Sequence, residues 1–285
     1  MGLRLDRILF PEGKGKAVTF SFDDAVVEDA RMADLLREYQ LKATFNVNCG
    51  CFGEKDRMPI EGRELYHEVI AEEQLSKIYA GHELACHGFH HLSMTDCPED
   101  SALAEAVLDR ARLEQLLHRR VRGFAYPYGH YNARTKAILK KAGFRYARTV
   151  DRAGSFDLPE DFLAWDASCH IFDPDRDRLW EQFLALEPGP YSPSPKVFYV
   201  WGHSYEMTIT DGWADWELFL KQVSGHKDLW YATNGEIQSY MEAVRQLDYS
   251  VDRSIIYNPS AAPVWLELDG RTVKLEGGTE TIVKR

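Results

Sequence analysis

The chain has 285 residues, of which 45% are hydrophobic and 28% are charged, and its formal net charge is −11. This composition is typical of a globular protein with one large α/β domain, or with one domain and a small appendage. The negative charge argues against nucleic acid and anionic membrane surfaces as partners, because phosphate groups bind to basic protein surfaces.

The N-terminal sequence and the cysteines indicate a reducing compartment. Residues 1–16 contain no apolar run of signal-peptide length and no cleavage site made of small residues. No stretch approaches the roughly 18 apolar residues of a membrane span. The five cysteines are scattered and odd in number, which does not suit a disulfide framework. The sequence therefore predicts a cytoplasmic protein.

Short runs rich in β-branched and aromatic residues alternate with helical patterns along most of the chain. The predicted strands cover residues 17–22, 43–48, 83–87, 123–127, 146–150, 163–168, 197–203 and 229–232. The predicted helices cover residues 28–39, 101–118, 132–142, 174–186, 213–223 and 234–247. This alternation predicts parallel βαβ units in a closed or nearly closed β/α barrel, with a doubly wound open sheet as the alternative.

Three segments add detail to this organisation. The helix at 101–118 carries apolar residues at helical spacing, which predicts that they face the core: Leu103, Val107, Leu113, Leu116 and Leu117. The polar stretch 49–80 is predicted to be a loop or lid over one end of the barrel. After residue 248 the helical period is lost, and Asp269-Gly270 between two apolar runs predicts a hairpin. We therefore expect a barrel at 1–248 and a small β appendage at 249–285.

Two adjacent carboxylates, Asp23 and Asp24, end the first predicted strand of the barrel in the sequence TFSFDD. Like charges on neighbouring residues repel each other, so a compensating interaction is expected. One explanation is a helix N-cap, where Asp is favoured. The other is a bound cation, with one carboxylate as its ligand and the other as a base.

A histidine cluster follows another predicted strand, in the sequence ELACHGFHH. If the chain coils after His87, then His87 and His91 lie on one face, and two imidazoles on one face can bind a metal. Clustered histidines are often surface residues, but the ends of parallel barrel strands share one rim with Asp23 and Asp24. One Asp and two His leave coordination positions open, which is typical of catalytic metal sites.

Two further motifs lie where predicted strands end. In GFAYPYGHYN, Pro127 stiffens a turn and Gly129 permits an unusual φ, although an ordinary turn would look the same. In VFYVWGHSYE a strand ends on His203. An isolated histidine there is usually structural, but on the same rim as a metal it becomes a candidate proton donor.

These motifs, taken in order from about Ala17 to Tyr240, resemble the polysaccharide deacetylase family, which is the NodB-homology domain or carbohydrate esterase family 4. The resemblance implies a distorted (β/α)7-type barrel with one divalent metal ion, most often Zn²⁺ and sometimes Co²⁺, Ni²⁺ or Fe²⁺. It implies that the metal ligands are Asp24, His87 and His91. It also implies that Asp23 is the general base toward water, that His203 is the general acid toward the leaving amine, and that the backbone N–H of Tyr128 helps to hold the oxyanion.

The sequence departs from the family pattern at two positions. The arginine that usually stands two residues before the Pro of the PYG turn is Ala125, and the Ser or Thr that often follows the first metal histidine is Gly88. We hypothesise that Arg148, on the next strand, replaces the missing arginine and contacts Asp23 directly or through Asp166. Because side chains alternate along a strand, this requires that Arg148 face the barrel interior.

The predicted function is the removal of an N-acetyl or O-acetyl group from an amino sugar or oligosaccharide, which would be the expected binding partner. One alternative is a metal-dependent amidase of the same fold that acts on a non-sugar C–N bond, such as an allantoin-like or formamido substrate. A non-catalytic carbohydrate-binding protein is disfavoured because the acid, the base and all three ligands are present. Aromatic residues near the rim could stack on sugar rings or pack in the core: Tyr128, Tyr131, Trp165, Trp201 and Tyr205. Among them Tyr131, Trp201 and Tyr205 are predicted to bind substrate.

Overall fold

The computed structural model describes residues 6–58, 64–187 and 194–283. Its strands are β1 (Arg7–Leu9), β2 (Lys16–Asp23), β3 (Thr44–Val47), β4 (Lys55–Met58), β5 (Leu65–Glu68), β6 (Glu83–Cys86), β7 (Gly123–Ala125), β8 (Tyr146–Arg152), β9 (Trp165–Ala167), β10 (Cys169–His170), β11 (Lys196–Gly202), β12 (Leu229–Tyr231), β13 (Asp248–Tyr249), β14 (Ile255–Asn258), β15 (Val264–Leu268), β16 (Arg271–Leu275) and β17 (Thr279–Ile282). Its α-helices are α1 (Asp29–Glu38), α2 (Leu75–Ile78), α3 (Glu99–Leu117), α4 (Ala133–Lys141), α5 (Arg176–Ala185), α6 (Tyr205–Thr210), α7 (Trp213–Val223) and α8 (Asn234–Arg245). None of these described helices is both long enough and apolar enough to cross a membrane.

A nearly closed barrel of parallel strands forms the centre of the molecule. The strands lie in the order β10-β11-β2-β3-β6-β7-β8-β9, and β12 pairs with the beginning of β2. Only Ser168 separates β9 from β10, and its N–H donates to Tyr199 O on β11 at 2.8 Å, so this stretch lies between β8 and β11. The predicted barrel is thereby confirmed, and the alternative of an open sheet is wrong.

Side chains alternate along β2 between an apolar outer side and a polar inner side. Val18, Phe20 and Phe22 belong to the hydrophobic cluster that includes residues of the surrounding helices. Ser21 faces inward, where Asn46 Nδ2 donates to its hydroxyl at 2.7 Å. The same alternation turns Asp23 inward at the end of the strand, so the polar interior leads directly to the paired carboxylates.

Helix α3 buries a different face from the one that its leucines predict. Leu103 and Val107 are 40% and 43% exposed, whereas Glu105 and Asp109 are buried at 4% and 0%. The prediction was therefore wrong for Leu103 and Val107, although Leu113 is buried as expected. The physical reason is that the two buried carboxylates accept hydrogen bonds from a neighbouring loop, described below.

The polar stretch 49–80 folds into ordered elements rather than a plain loop. Strands β4 and β5 form an antiparallel hairpin, and α2 follows it. Residues 59–63 of this stretch lie outside the described residues. The end of the hairpin is tied to the chain just after Asp24, since Val27 N–H donates to Glu68 O at 2.9 Å and Ile70 N–H donates to Ala25 O at 2.9 Å. These two hydrogen bonds place β5 beside the end of β2 that carries Asp23 and Asp24.

The C-terminal residues form two small antiparallel sheets, β1-β15-β16 and β13-β14-β17. The hairpin predicted at Asp269-Gly270 is confirmed, with Leu268 opposite Arg271. Strand β1, from the beginning of the chain, pairs with β15, which the sequence analysis did not anticipate. One hydrophobic cluster includes Tyr240 of α8 and Val264 of β15, and the division of the chain at residue 248 stays a prediction.

Candidate active site

The two adjacent carboxylates stand at a sharp turn that ends β2. Asp24 and Ala25 have left-handed backbone conformations, with φ values of 78° and 53°. The Asp24 N–H donates to Asn46 O on β3 at 3.1 Å, which anchors the turn to the barrel. Helix α1 begins only at Asp29, so neither carboxylate caps it, and the N-cap explanation is wrong.

Asp24, His87 and His91 offer ligand atoms that all lie within 4.8 Å of one another. Asp24 Oδ1 lies 3.6 Å from His87 Nε2 and 3.7 Å from His91 Nε2. His87 Nδ1 donates to Ala125 O at 2.8 Å, which leaves the Nε2 lone pair directed at the cluster. One carboxylate and two imidazoles are a donor set that fits a divalent metal ion with open positions.

The two histidines converge through left-handed turns and not through the helical coil considered from the sequence. Gly88 and His91 have φ values of 82° and 59°. A Cβ on Gly88 would lie 3.2 Å from Glu105 Oε2 and 3.3 Å from Pro127 Cγ, in addition to the cost of the left-handed backbone. The departure from the family pattern at Gly88 therefore has a local steric reason in this chain.

Two buried carboxylates of α3 hold the histidine loop in place. Asp109 accepts hydrogen bonds from Cys49 N–H at 2.9 Å and from His87 N–H at 3.0 Å. Glu105 accepts from His90 N–H at 2.8 Å, and its other oxygen lies 3.0 Å from His90 Nδ1. Burial raises the pKa of Asp109 to about 7 despite its hydrogen bonds. Neither residue was predicted from the sequence, where their only signal is a pair of acids four positions apart on a helix.

Asp23 is held by two donors, one on each oxygen. Asn46 Nδ2 donates to Oδ1 at 2.7 Å, and the Arg148 guanidinium donates to Oδ2. Burial opposes ionisation, but Arg148 and then His87 lower the pKa of Asp23 below its usual value. Arg148 is fully buried and its strand position pairs with Ala125, so this arginine stands beside the place where the family's arginine is missing.

The predicted contact between Arg148 and Asp23 is therefore present and direct. Asp166, the alternative intermediary, instead accepts a hydrogen bond from the Thr149 hydroxyl. Arg148 also donates to Thr149 O at 3.0 Å, and its guanidinium lies 4.4 Å from the centroid of the Trp201 ring. These contacts fix the arginine in one orientation.

His203 approaches both carboxylates from the end of β11. Its Nε2 lies 3.9 Å from an oxygen of Asp23 and 3.9 Å from an oxygen of Asp24. Its Nδ1 lies 3.5 Å from Glu206, which also lies 3.2 Å from His170 Nε2. Burial alone would lower the pKa of His203, but Glu206 and the two aspartates raise it to about 9. Neither Glu206 nor His170 was predicted from the sequence.

The predicted aromatic residues divide into two groups. Tyr205 lies beside His203, with ring centroids 5.1 Å apart, and Trp201 lies beside Arg148. The exposed Tyr128 ring lies 4.6 Å from that of His91, and the left-handed φ of 59° at Tyr128 shapes the PYG turn.

Two of the aromatic residues pack elsewhere. Trp165 is 2% exposed, in a cluster with Tyr199 and Phe162, so the suggestion that it stacks on sugars is wrong. Tyr131 stacks on the buried Tyr126, and the structure joins it to none of the carboxylates or histidines described above. Its assignment to substrate binding stays a prediction.

Comparisons with known proteins agree with the family resemblance and with the barrel fold. The family model for polysaccharide deacetylase matches residues 11–147. The chain is 24% identical over 206 residues to poly-beta-1,6-N-acetyl-D-glucosamine N-deacetylase of Staphylococcus aureus, and the match covers 64% of this chain and 66% of that protein, slightly less than two thirds of its length. A crystal structure from Mycobacterium smegmatis, of a protein assigned to the polysaccharide deacetylases, has a TM-score of 0.60 and 21% identity, covering 84% of this chain and 94% of that one.

Proposed function

We propose that this chain, which belongs to the polysaccharide deacetylase family, hydrolyses the N-acetyl group of an amino sugar in a polymer or oligosaccharide, with one divalent metal ion as cofactor. The observation that carries the proposal is that the two adjacent carboxylates make different contacts. Asp24 Oδ1 faces both imidazole Nε2 atoms. Asp23 also lies 3.6 Å from His87 Nε2, but both of its oxygens accept hydrogen bonds from Arg148 and Asn46.

Asp24, His87 and His91 would hold the metal, most simply Zn²⁺, although Co²⁺, Ni²⁺ and Fe²⁺ accept the same donors. When bound there, a divalent cation would supply Lewis acidity, which polarises the acyl carbonyl and makes water easier to deprotonate. The hydrogen bond from His87 Nδ1 to Ala125 O keeps that imidazole in the tautomer that a ligand requires.

Asp23 is proposed as the general base. Arg148 keeps its carboxylate ionised and fixes its rotamer, and Asn46 holds the other oxygen. A base must be unprotonated before the reaction and correctly placed to accept a proton from water. The three residues together supply both conditions, and Arg148 acts through Asp23 as a positioning residue.

His203 is proposed as the general acid. Glu206 lies on the Nδ1 side of the ring and favours the protonated form, while Nε2 faces the carboxylates. A proton held at Nε2 can pass to the amine nitrogen as the C–N bond breaks. The Tyr128 backbone N–H is proposed to stabilise the negative charge that develops on the acyl oxygen, and Trp201 and Tyr205 are proposed to contact the sugar.

The direct test is an assay of the Zn²⁺-loaded protein on β-1,6-linked and β-1,4-linked N-acetylglucosamine oligomers, with acetate and free amine both measured. We expect equimolar acetate and amine from the wild type, and neither product from His91→Ala. The panel includes formamido compounds and allantoin, and hydrolysis of these alone would favour the amidase alternative. His203→Ala should slow the amides more than an activated acetyl ester, because a good leaving group needs little protonation; equal losses on both would contradict the acid role.

A further inference from the structure

A fourth histidine, His67, lies against the carboxylate that faces the proposed metal position. Its Nε2 lies 3.2 Å from Asp24 Oδ2, whereas His87 and His91 approach the other oxygen, Oδ1. His67 does not belong to the group whose ligand atoms all lie within 4.8 Å of one another. The two oxygens of Asp24 therefore face different partners. His67 is the nearer partner of Oδ2, at 3.2 Å, and His203 Nε2 lies 3.9 Å from the same oxygen.

The backbone places His67 there through short connections. His67 lies on β5 opposite Asp56 of β4, and the residues that follow it are tied to the turn after Asp24. Val27 N–H donates to Glu68 O, and Ile70 N–H donates to Ala25 O, each at 2.9 Å. Two hydrogen bonds thus fix the distance between the hairpin and the carboxylate.

The side chain of His67 is also held on its other side. The Tyr205 ring packs against the imidazole at a centroid distance of 5.2 Å and an angle of 76°. Side-chain exposures of 29% for His67 and 12% for Asp24 show that their contact is partly shielded from solvent. A hydrogen bond in such a place keeps more of its strength than one on an open surface.

We propose that His67 is a positioning residue of the metal site, which donates from Nε2 to Asp24 Oδ2 and so leaves Oδ1 as the single oxygen offered to the metal. A carboxylate held in this way binds through one oxygen, and the remaining coordination positions stay open for water and substrate. Residues that hydrogen-bond to metal ligands commonly alter metal affinity by about 10–100-fold when they are removed. The inference rests on the proposed function, because it requires a metal at Asp24, His87 and His91.

The test measures Zn²⁺ affinity by competition with a chelator, without reference to activity. His67→Ala should bind Zn²⁺ about 10–100-fold more weakly than the wild type. His67→Gln should recover much of the loss, because its amide N–H can donate to Oδ2. The matched control is Arg57→Ala, an exposed position on β4 of the same hairpin, which should bind Zn²⁺ like the wild type. The metal-free variants should unfold at the same temperature as the wild type.

The possible outcomes distinguish a failure of this inference from a failure of the proposed function. If His67→Ala binds Zn²⁺ as tightly as the wild type or more tightly, His67 does not position Asp24, and the proposed function is unaffected. If the wild type itself binds none of Zn²⁺, Co²⁺, Ni²⁺ and Fe²⁺, the proposed function fails and this inference fails with it. If metal-free His67→Ala unfolds at a lower temperature and His67→Gln restores nothing, His67 supports the hairpin alone and the positioning role is overturned.

Discussion

The two ends of the barrel are stabilised by different interactions. At the rim where the strands end, the buried charges of Asp23 and Arg148 depend on each other. At the opposite end, barrel residues and the C-terminal sheets bury apolar side chains together, among them Phe10, Tyr240 and Leu266. A buried charge that loses its partner is costly, whereas an apolar contact contributes in proportion to its buried area. Substitutions at the rim should therefore change both chemistry and stability, and substitutions at the opposite end should change stability alone.

The largest effect is expected for Asp23→Asn. Asparagine has nearly the shape of aspartate but cannot accept a proton from water, so turnover should fall by about 10²–10⁴-fold. Metal content, measured by mass spectrometry, should remain close to that of the wild type, because Asp23 lies outside the proposed ligand set. Asp166→Asn is the matched control, since its carboxylate contacts Thr149 and not Arg148. Comparable losses in the two variants would argue against Asp23 as the base.

At the opposite end, Leu266→Ala should lower the free energy of unfolding by about 2–5 kcal/mol. Leu266 is 1% exposed and lies opposite Ile8 on β1 and Val273 on β16. The activity per folded molecule should not change, because none of these residues belongs to the rim. Urea unfolding and an assay at a temperature well below the transition check the two statements. Ile282→Ala, at a position that is 75% exposed, is the control, and a loss of activity in folded Leu266→Ala would contradict the separation of the two ends.

Arg148→Lys tests whether the rim needs a fork of donors or only a positive charge. Lysine keeps the charge, but it cannot contact Asp23 and the Thr149 carbonyl with a planar group that also lies on Trp201. We expect kcat to fall by about 10–100-fold, the usual cost of losing a residue that orients a catalytic group, while KM changes little. Full activity in Arg148→Lys would show that charge alone is sufficient.

Asp29 differs from Asp23, which is paired with Arg148. Asp29 is also a buried acid, but its hydrogen bonds come from neutral groups alone. Ser204 Oγ donates to it at 2.6 Å and Tyr79 OH donates at 2.7 Å. Burial raises the pKa of Asp29 from 3.8 to about 7. The folded chain therefore holds a proton that the unfolded chain releases between about pH 4 and pH 7, and stability falls as pH rises through this window.

Asparagine at position 29 cannot titrate, so Asp29→Asn removes this pH dependence. The wild-type advantage in unfolding free energy over Asp29→Asn should shrink by roughly 2–3 kcal/mol between pH 5 and pH 8. Urea unfolding of both proteins at several pH values measures the difference. A difference that stays constant across this range would mean that the carboxyl ionises in the folded chain as readily as in water.

The β/α order and the rim motifs could be predicted because both are local in sequence. Strands that alternate with helices leave few arrangements besides a parallel sheet. Asp23 ends a strand, and His87 and His203 each follow one directly, so a barrel brings them to one rim. The residues that support them could not be predicted in the same way. His67 comes from a hairpin, and Glu105 and Asp109 come from a helix, and only tertiary contacts bring these residues to the site.

The contact between Arg148 and Asp23 depended on which side of β8 faces inward, which one sequence cannot decide. The pairing of β1 with β15 joins the two ends of the chain and has no local signal. For α3 the leucine pattern was misleading, since its buried face combines small residues with two acids. Burial of an acid is normally unfavourable, and the backbone N–H groups of Cys49 and of the histidine loop, which donate to these two acids, offset part of that cost.

The smallest expected effect tests which face of α3 is buried. Leu103→Gln should change the free energy of unfolding by less than about 0.5 kcal/mol, as is usual for an exposed position. Leu113→Ala on the same helix removes a side chain that is 0% exposed and should cost about 2–5 kcal/mol. Both leucines fit the helical spacing in the sequence, so only their burial in the folded protein distinguishes them. If urea unfolding gave equal losses for the two variants, the leucine face would be the buried one, and Glu105 and Asp109 could not support the histidine loop as described.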